Sequence, residues 1–174
     1  SHGGTVESII FRTPYDNTDS SAWTTIMNFA NIGGPPVSQV TYFYVWRDTF
    51  YFASNGTIKL YKSADGINFV QASTSGFLSS DLLIASMVEF RGAFYAGTNN
   101  PGLGGQLYKT LNGNLWENLT YLLPGHSATD KEIHDVDTAG GVLWATVYTG
   151  TLSSTSGMPL WRSTNSSVTA FVQS

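Results

Sequence analysis

The sequence predicts an all-β chain assembled from a recurring four-stranded unit, and three observations carry that expectation. The 174 residues are 41% hydrophobic and 14% aromatic but only 11% charged, with 18 glycines, a balance that suits short strands joined by many turns. No apolar segment with a 3.6-residue period runs longer than two turns, which leaves little room for helix. Finally, the stretch Gly104 to Leu119, GGQLYKTLNGNLWENL, has counterparts in IKLYKSADGINFVQ, MPLWRSTNSSVTAFV and SIIFRTPYDNTDSSAW. Each copy reads as an apolar strand, a basic residue with Ser or Thr, a polar turn, and an aromatic that opens a second strand. The hydroxyl closing each first strand falls at Thr13, Ser63, Thr110 and Ser163, giving steps of 50, 47 and 53 residues. Periods of that size predict propeller blades, units that cannot bury their own faces and must stack on neighbours.

In chain order, residues Ser1 to Gly4 (SHGG) have the look of a cloning remnant. Ser8 to Thr13 and Trp23 to Asn28 then form an isolated outer hairpin around a polar turn with Pro14, Asp16, Asn17 and Asp19. The breakers Gly33-Gly34-Pro35-Pro36 close this half blade, which covers residues 5–36. The first complete blade, residues 37–79, begins with the β-branched and aromatic run Val40 to Trp46. It turns at Arg47-Asp48 and returns through Thr49 to Ser54. Asn55-Gly56 signals a tight hairpin because both residues tolerate positive φ, and Ile58 to Ser63 and Phe69 to Ala72 complete four strands. The next blade, 80–123, repeats the order through Ile84 to Phe90, Ala93 to Thr98, Gln106 to Thr110 and Trp116 to Leu119. The last, 124–174, uses Ile133 to Thr138, Val142 to Val147, Leu160 to Ser163 and Ala170 to Val172. Aligning Asp48, Gly92 and Gly141 gives steps of 44 and 49, in keeping with the hairpin register.

About three and a half blades fall short of the roughly four to eight that close a ring. The expected architecture is therefore a β-propeller segment, incomplete or closed by oligomerisation, with other propeller blades or a second copy of the chain as partners. A four-bladed ring with a truncated first blade is the remaining arrangement.

Net charge is −4 and the eight basic residues are scattered, so no electrostatic footprint for a phosphate backbone exists and nucleic acid is not an expected partner. No apolar run approaches the roughly 20 residues that span a bilayer. Cysteine is absent, which removes disulfides and thiolate metal sites without fixing a compartment. Low charge with abundant Ser, Thr, Asn and Gly leans towards an extracellular or cell-surface β-protein. Asn55-Gly56-Thr57, Asn118-Leu119-Thr120 and Asn165-Ser166-Ser167 fit the N-glycan acceptor pattern, which arises readily by chance in such a composition.

The stretch YAGTNNPGLGGQLYKTLNGNLWENL resembles the blades of extracellular propellers with Asp-box (BNR) repeats, the sialidase-like superfamily. That box, roughly Ser/Thr-x-Asp-x-Gly-x-Thr-Trp, lies in the hairpin between third and fourth strands. Ser63, Asp65, Gly66 and Phe69 match it with one residue fewer, and Thr110, Asn112, Gly113 and Trp116 match with Asn for Asp. Ser163 to Phe171 keeps only Asn165 and the terminal aromatic. The physics of such a turn is structural: the hydroxyl and the Asp or Asn side chain take backbone amides, Gly supplies positive φ, and the aromatic plugs the gap between blades. Asp65 and Asn112 are thus expected to be structural, not catalytic.

By that resemblance, ligands belong on the face opposite the boxes, formed here by Asn31 to Gln39, Ser54 to Thr57, Gly76 to Leu82, Asn99 to Gly105, Leu123 to Asp135 and Tyr148 to Gly157. The richest stretch is PGHSATDKEIHDVD, where His126, Asp130, Glu132, His134, Asp135 and Asp137 crowd together. Carboxylates and imidazoles at a channel mouth suit a divalent cation such as Ca²⁺ or acid-base chemistry, and equally a wet channel with no ligand. Strand alternation puts Asp135 and Asp137 on one side of the innermost strand, the pair to hold a metal if there is one, and His134 on the other. His126, Asp130, Glu132, Asp135 and Asp137, together with Asn99, Asn100 and Tyr148, make the expected ligand-binding set.

Sialidase-type hydrolysis requires an arginine clamp, a Tyr nucleophile with a Glu partner and an Asp acid. The chain has only Arg12, Arg47, Arg91 and Arg162, all at strand ends or turns, so no clamp forms within it. A carboxylate pair about 5.5 Å apart would need a second acid from further blades. Tyr42, Tyr44 and Trp46 alternate with Phe43 and Val45, so both faces of that strand are expected to be buried between blades, although aromatic faces beside Asn-rich loops also suit sugar stacking. The expected function is a non-catalytic recognition or scaffold propeller that binds a glycan or protein. The alternatives are a piece of a glycoside hydrolase or lyase, or a chain built for blade assembly with no ligand.

Overall fold

The computed structural model describes residues 9–12, 24–28, 40–55, 58–72, 75–149 and 159–173. The first strands, β1 (Ile9–Arg12) and β2 (Thr24–Asn28), form a two-stranded antiparallel sheet. A four-stranded antiparallel sheet follows, β3 (Val40–Trp46), β4 (Thr49–Ser54), β5 (Lys59–Ser63) and β6 (Val70–Gln71), paired in chain order. The same meander recurs as β7 (Leu83–Phe90), β8 (Ala93–Asn99), β9 (Leu107–Thr110) and β10 (Glu117–Asn118). It recurs again as β11 (Glu132–Ala139), β12 (Val142–Tyr148), β13 (Leu160–Ser163) and β14 (Phe171–Gln173). One bridge, Glu132 with Asn99, joins the last two sheets.

The innermost strands lie side by side, β3 against β7 and β7 against β11, so the sheets are arranged as blades of a propeller. Each blade buries its faces against the next because alternate side chains of one strand enter two different cores. Phe94 and Ala96 of β8 join Trp46, Tyr51 and Leu60 in the core between the first two complete blades. Ala93 and Tyr95 join Ile133, Leu143, Val147 and Trp161 in the core on the other side. Phe94 is fully buried and its ring lies 5.0 Å from that of Trp46 and 5.8 Å from that of Trp116. A buried side chain of this size contributes about 1.5–3 kcal/mol by removal from water alone.

A bulge recurs at the same place in each innermost strand, at Thr41, Ala85 and His134. It puts two successive residues opposite one and shifts the phase of the alternation. The Thr41 hydroxyl donates to the Ile84 carbonyl at 2.8 Å, tying the bulges of the first two blades together. Opposite the second bulge only glycine fits, since a Cβ on Gly97 would lie 2.5 Å from the Ile133 carbonyl oxygen.

The hairpin turns at the other end of these strands all have positive φ at both central residues: Arg47 and Asp48 (49° and 55°), Arg91 and Gly92 (51° and 77°), Gly140 and Gly141 (61° and 77°). This is the turn whose twist matches a hairpin. The two arginines accept a left-handed backbone in places where their side chains are engaged. Arg47 lies 4.6 Å above the Trp46 ring and donates to the carbonyls of Gly92 (2.9 Å) and Leu111 (3.2 Å) in the next blade, while Arg91 lies 5.5 Å above the Phe90 ring.

Two local expectations change. Alternation in Tyr42 to Trp46 implied two covered faces, but Phe43 and Val45 are 51% and 62% exposed. Tyr44 and Trp46 pack on Phe94, and among the described residues only the side facing β7 has an adjoining blade. The strand expected to extend to Leu119 stops at Asn118, because the Leu107 N–H bonds the Thr120 hydroxyl and the Asn118 side chain takes the Thr120 N–H, starting a single 3₁₀ turn at Thr120–Leu122. The Asn55-Gly56 hairpin signal falls partly outside the described residues.

Candidate functional site at the β8, β11 and β12 strand ends

Strand pairing assembles the site. Asn99 ends β8 opposite Leu83, Glu132 opens β11 opposite both Asn99 and Tyr148, and Tyr148 ends β12. The Asn99 amide donates to Glu132 Oε2 at 2.9 Å, while His134 Nδ1 lies 2.6 Å from Glu132 Oε1. Both carboxylate oxygens are thus engaged. The Glu132 side chain is 15% exposed and that of His134 61%, so the imidazole stands in solvent, oriented by the carboxylate beneath it.

The bulge explains why His134 is there, and it corrects the expectation from simple alternation. Ile133 and Val136 both enter the same core, which an unbroken strand would not allow. With the phase shifted at His134, the residues flanking these two, Glu132 and His134 on one side of the bulge and Asp135 and Asp137 on the other, all lie away from that core. Asp135 and Asp137 remain on one side, and both are exposed. Their charges reach Tyr42 on β3: burial first, then Asp135, push the Tyr42 phenol up from its ordinary value, with smaller contributions from Tyr44 and Asp137. A hydrogen bond with the Met87 backbone opposes that shift.

The remaining expected site residues serve the loops. Asn100 is fully buried; its amide donates to Ser80 and to Asp81 Oδ1, both at 2.9 Å, and its oxygen takes the N–H groups of Gly102 and Leu103. Asp130 is 6% exposed and accepts the Ser127 N–H at 2.7 Å. His126 is half-buried, 6.3 Å from the Trp161 ring, with Nε2 lacking a hydrogen-bond partner. Of the expected ligand face, 31–39, 56–57 and 150–157 lie outside the described residues. For a cation at Asp135 and Asp137, no group of three or more His, Cys, Asp or Glu side chains that would hold a metal converges among the described residues.

Sequence reasoning passed over Asp81, which organises this end of the blade. It is 1% exposed and accepts four donors: Thr98 Oγ1 (3.2 Å) and Asn100 Nδ2 (2.9 Å) on Oδ1, Tyr108 Oη (2.5 Å) and the Leu78 N–H (3.0 Å) on Oδ2. The available signal was a lone acid immediately before the apolar run Leu82-Leu83-Ile84, where an acid is buried only if paired.

At the opposite end of the blades, Ser63 Oγ takes the Gly66 N–H at 2.9 Å and donates to Asp65 Oδ1. Asp65 also takes the N–H groups of Ile67 and Asn68, each at 2.8 Å, and the Asn68 side chain. These bonds, the Asn68 N–H foremost, hold its carboxyl well below the usual carboxylate range. Thr110 and Asn112 repeat the pattern, with Gly113 N–H on Thr110 at 3.0 Å and Asn114 N–H on Asn112 at 2.9 Å. Gly66 and Gly113 have φ of 67° and 72°. Phe69 packs partly buried against Phe52, and Trp116 is 2% exposed in the core between blades. In the third complete blade Asn165 takes the Ser167 N–H at 3.0 Å, and Val168, not glycine, has the positive φ (53°).

No helix among the described residues is long and apolar enough to cross a membrane. No protein-family model matches the chain, and no curated protein matches it. Solved structures that match include a Bombyx mori GH32 beta-fructofuranosidase, a mutant in complex with sucrose, at 19% sequence identity and a TM-score of 0.48. The match covers 75% of this chain and 35% of that one, so the chain spans about a third of the length of that enzyme.

Proposed function

We propose that this chain is a non-catalytic recognition propeller, extracellular or at the cell surface, which binds a glycan through the strand ends bearing Asn99, Glu132, His134 and Tyr148, with Asp135 and Asp137 beside them. The observation that carries the reading is the state of the acids. Glu132 has both oxygens held, by Asn99 and His134, and Asp135 and Asp137 stand in solvent. Fixed donors and acceptors beside the partly exposed Tyr148 ring suit sugar hydroxyls and a sugar face. The turns at Ser63, Asp65, Gly66 and Phe69 and at Thr110, Asn112, Gly113 and Trp116 support an Asp-box propeller, with a structural role for each. Further blades, or a second copy of the chain, cover the apolar side of β3 that carries Phe43 and Val45.

A glycan array, paired with a panel of fluorogenic glycosides, tests this. Binding without turnover, weakened at least about tenfold by Asn99→Ala and by His134→Ala, is expected. Turnover abolished by Asp135→Asn or Asp137→Asn overturns the reading in favour of a glycoside hydrolase, and binding only to a protein overturns the glycan assignment.

A further inference from the structure

A cleft at the other end of the blades has a chemistry that differs from that of the strand-end site. It holds about 400 Å³ and opens between the first two complete blades, with Trp46, Arg47, Tyr51, Lys62, Asn68 and Asn112 in its walls. That volume lies within the range of small-ligand sites. Its lining includes two cations and no carboxylate.

Both cations are held by neutral groups. Arg47 donates to two backbone carbonyls, which leaves three of its five N–H donors, and Lys62 reaches the side-chain oxygen of Asn114 at 3.4 Å. Neither forms an ion pair among the described residues, where His134 with Glu132 is the pair found. Asp65, two residues beyond the lining Ser63, has both oxygens committed to its own turn. The indole N–H of Trp46 has no acceptor among the described residues.

The repeat supplies an internal comparison. The basic residue of each third strand pairs across to the fourth: Lys62 with Val70, Lys109 with Glu117, Arg162 with Val172. In the second complete blade the equivalent cleft is about 210 Å³, and it contains both Lys109 and Glu117. Its lysine therefore has a counter-charge one strand away. In the first blade valine stands at that place, so Lys62 lines the cleft with Arg47 and has no carboxylate across the ladder, while the charge of Asp65 is held in its own turn by Ser63, Ile67 and Asn68.

We propose that this cleft binds an oxyanion carried by a saccharide, a uronate carboxylate or a sulfate ester, with Lys62 and Arg47 as its charge partners. Arg47 supplies a planar pair of donors and Lys62 a mobile point charge. Thr49, Asn68, Trp46 and Tyr51 line the space left for the rest of the sugar. The site lies at the opposite end of the inner strands from Glu132, so it stands or falls independently of the strand-end site.

Calorimetric titration at low ionic strength tests it with three probes: tri-galacturonate, its fully methyl-esterified form, and sodium sulfate. Tri-galacturonate is expected to bind, its ester to bind at least about tenfold more weakly, and added salt to weaken binding. Tighter binding of sulfate than of the trisaccharide assigns the site to a sulfate group and overturns the uronate. Val70→Glu reproduces the second blade's pairing at a position 59% exposed, and it is expected to weaken binding at least about tenfold while leaving the circular dichroism unchanged. Lys62→Gln gives the same result by removing the charge. The proposal is overturned if no probe binds, if the ester binds as tightly as the acid, or if both variants bind like the parent chain.

Discussion

Tyr108→Phe is the sharpest test of how the strand-end site is held. It removes one hydroxyl from a fully buried ring and little else. That hydroxyl donates to Asp81 Oδ2 at 2.5 Å and accepts the Leu78 N–H at 3.1 Å. After the change Oδ2 keeps only the Leu78 N–H, and the N–H keeps only Oδ2. A hydrogen bond of this kind contributes about 1.5–3 kcal/mol, because the acceptor has no water to fall back on. Asp81→Asn places an NH₂ group among four donors and costs about 1–3 kcal/mol for the donor left facing another. The two losses share one bond, so a double-mutant cycle isolates it. Urea unfolding of the parent, both single variants and the double variant is expected to give a coupling of about 1.5–3 kcal/mol. A coupling under about 0.5 kcal/mol would refute the idea that this network fixes the linker 75–82 to β8 and β9, and with them Asn99.

Two further outcomes follow from burial. With Phe43 and Val45 more than half exposed on β3, light scattering is expected to report an assembly of several chains, and Val45→Lys to reduce it to a monomer. A monomeric parent, unaffected by that change, contradicts the proposed covering of β3. Burial, followed by the charge of Glu117, pushes the Tyr95 phenol from 10.0 up to about 12. Because the folded chain holds this proton more tightly than the unfolded one, the stability it contributes is complete below pH 10 and is lost as pH rises towards about 12. Phenolate absorbance and unfolding midpoints, measured against Tyr95→Phe, are expected to show one late-titrating tyrosine fewer in the variant, with buried Tyr108 still titrating late in both. A parent in which all tyrosines titrate together near 10 sinks the assignment.

Val40–Trp46, Thr49–Ser54 and Leu160–Ser163 lie where alternation and turn residues put them, since strand and turn preferences act between residues a few positions apart and survive in every copy of the repeat. The same holds for the turns at Asp65 and Asn112, whose hydroxyl, amide and glycine partners lie within five residues of one another. What neighbouring residues do not encode is the contact between distant ones. One extra residue in β11 brings Asp135 and Asp137 round to the side of Glu132 and His134, and no hydropathy pattern marks such a bulge. Asp81 becomes a hub only because Tyr108, Thr98 and Asn100 arrive from other strands. Lys62 differs from Lys109 because of what stands across the ladder from it. Arg47 takes up a backbone that glycine would favour, in a place where the next blade offers its guanidinium two carbonyls. Packing of one blade on another decided these features, since each depends on surfaces that meet only after the strands have formed.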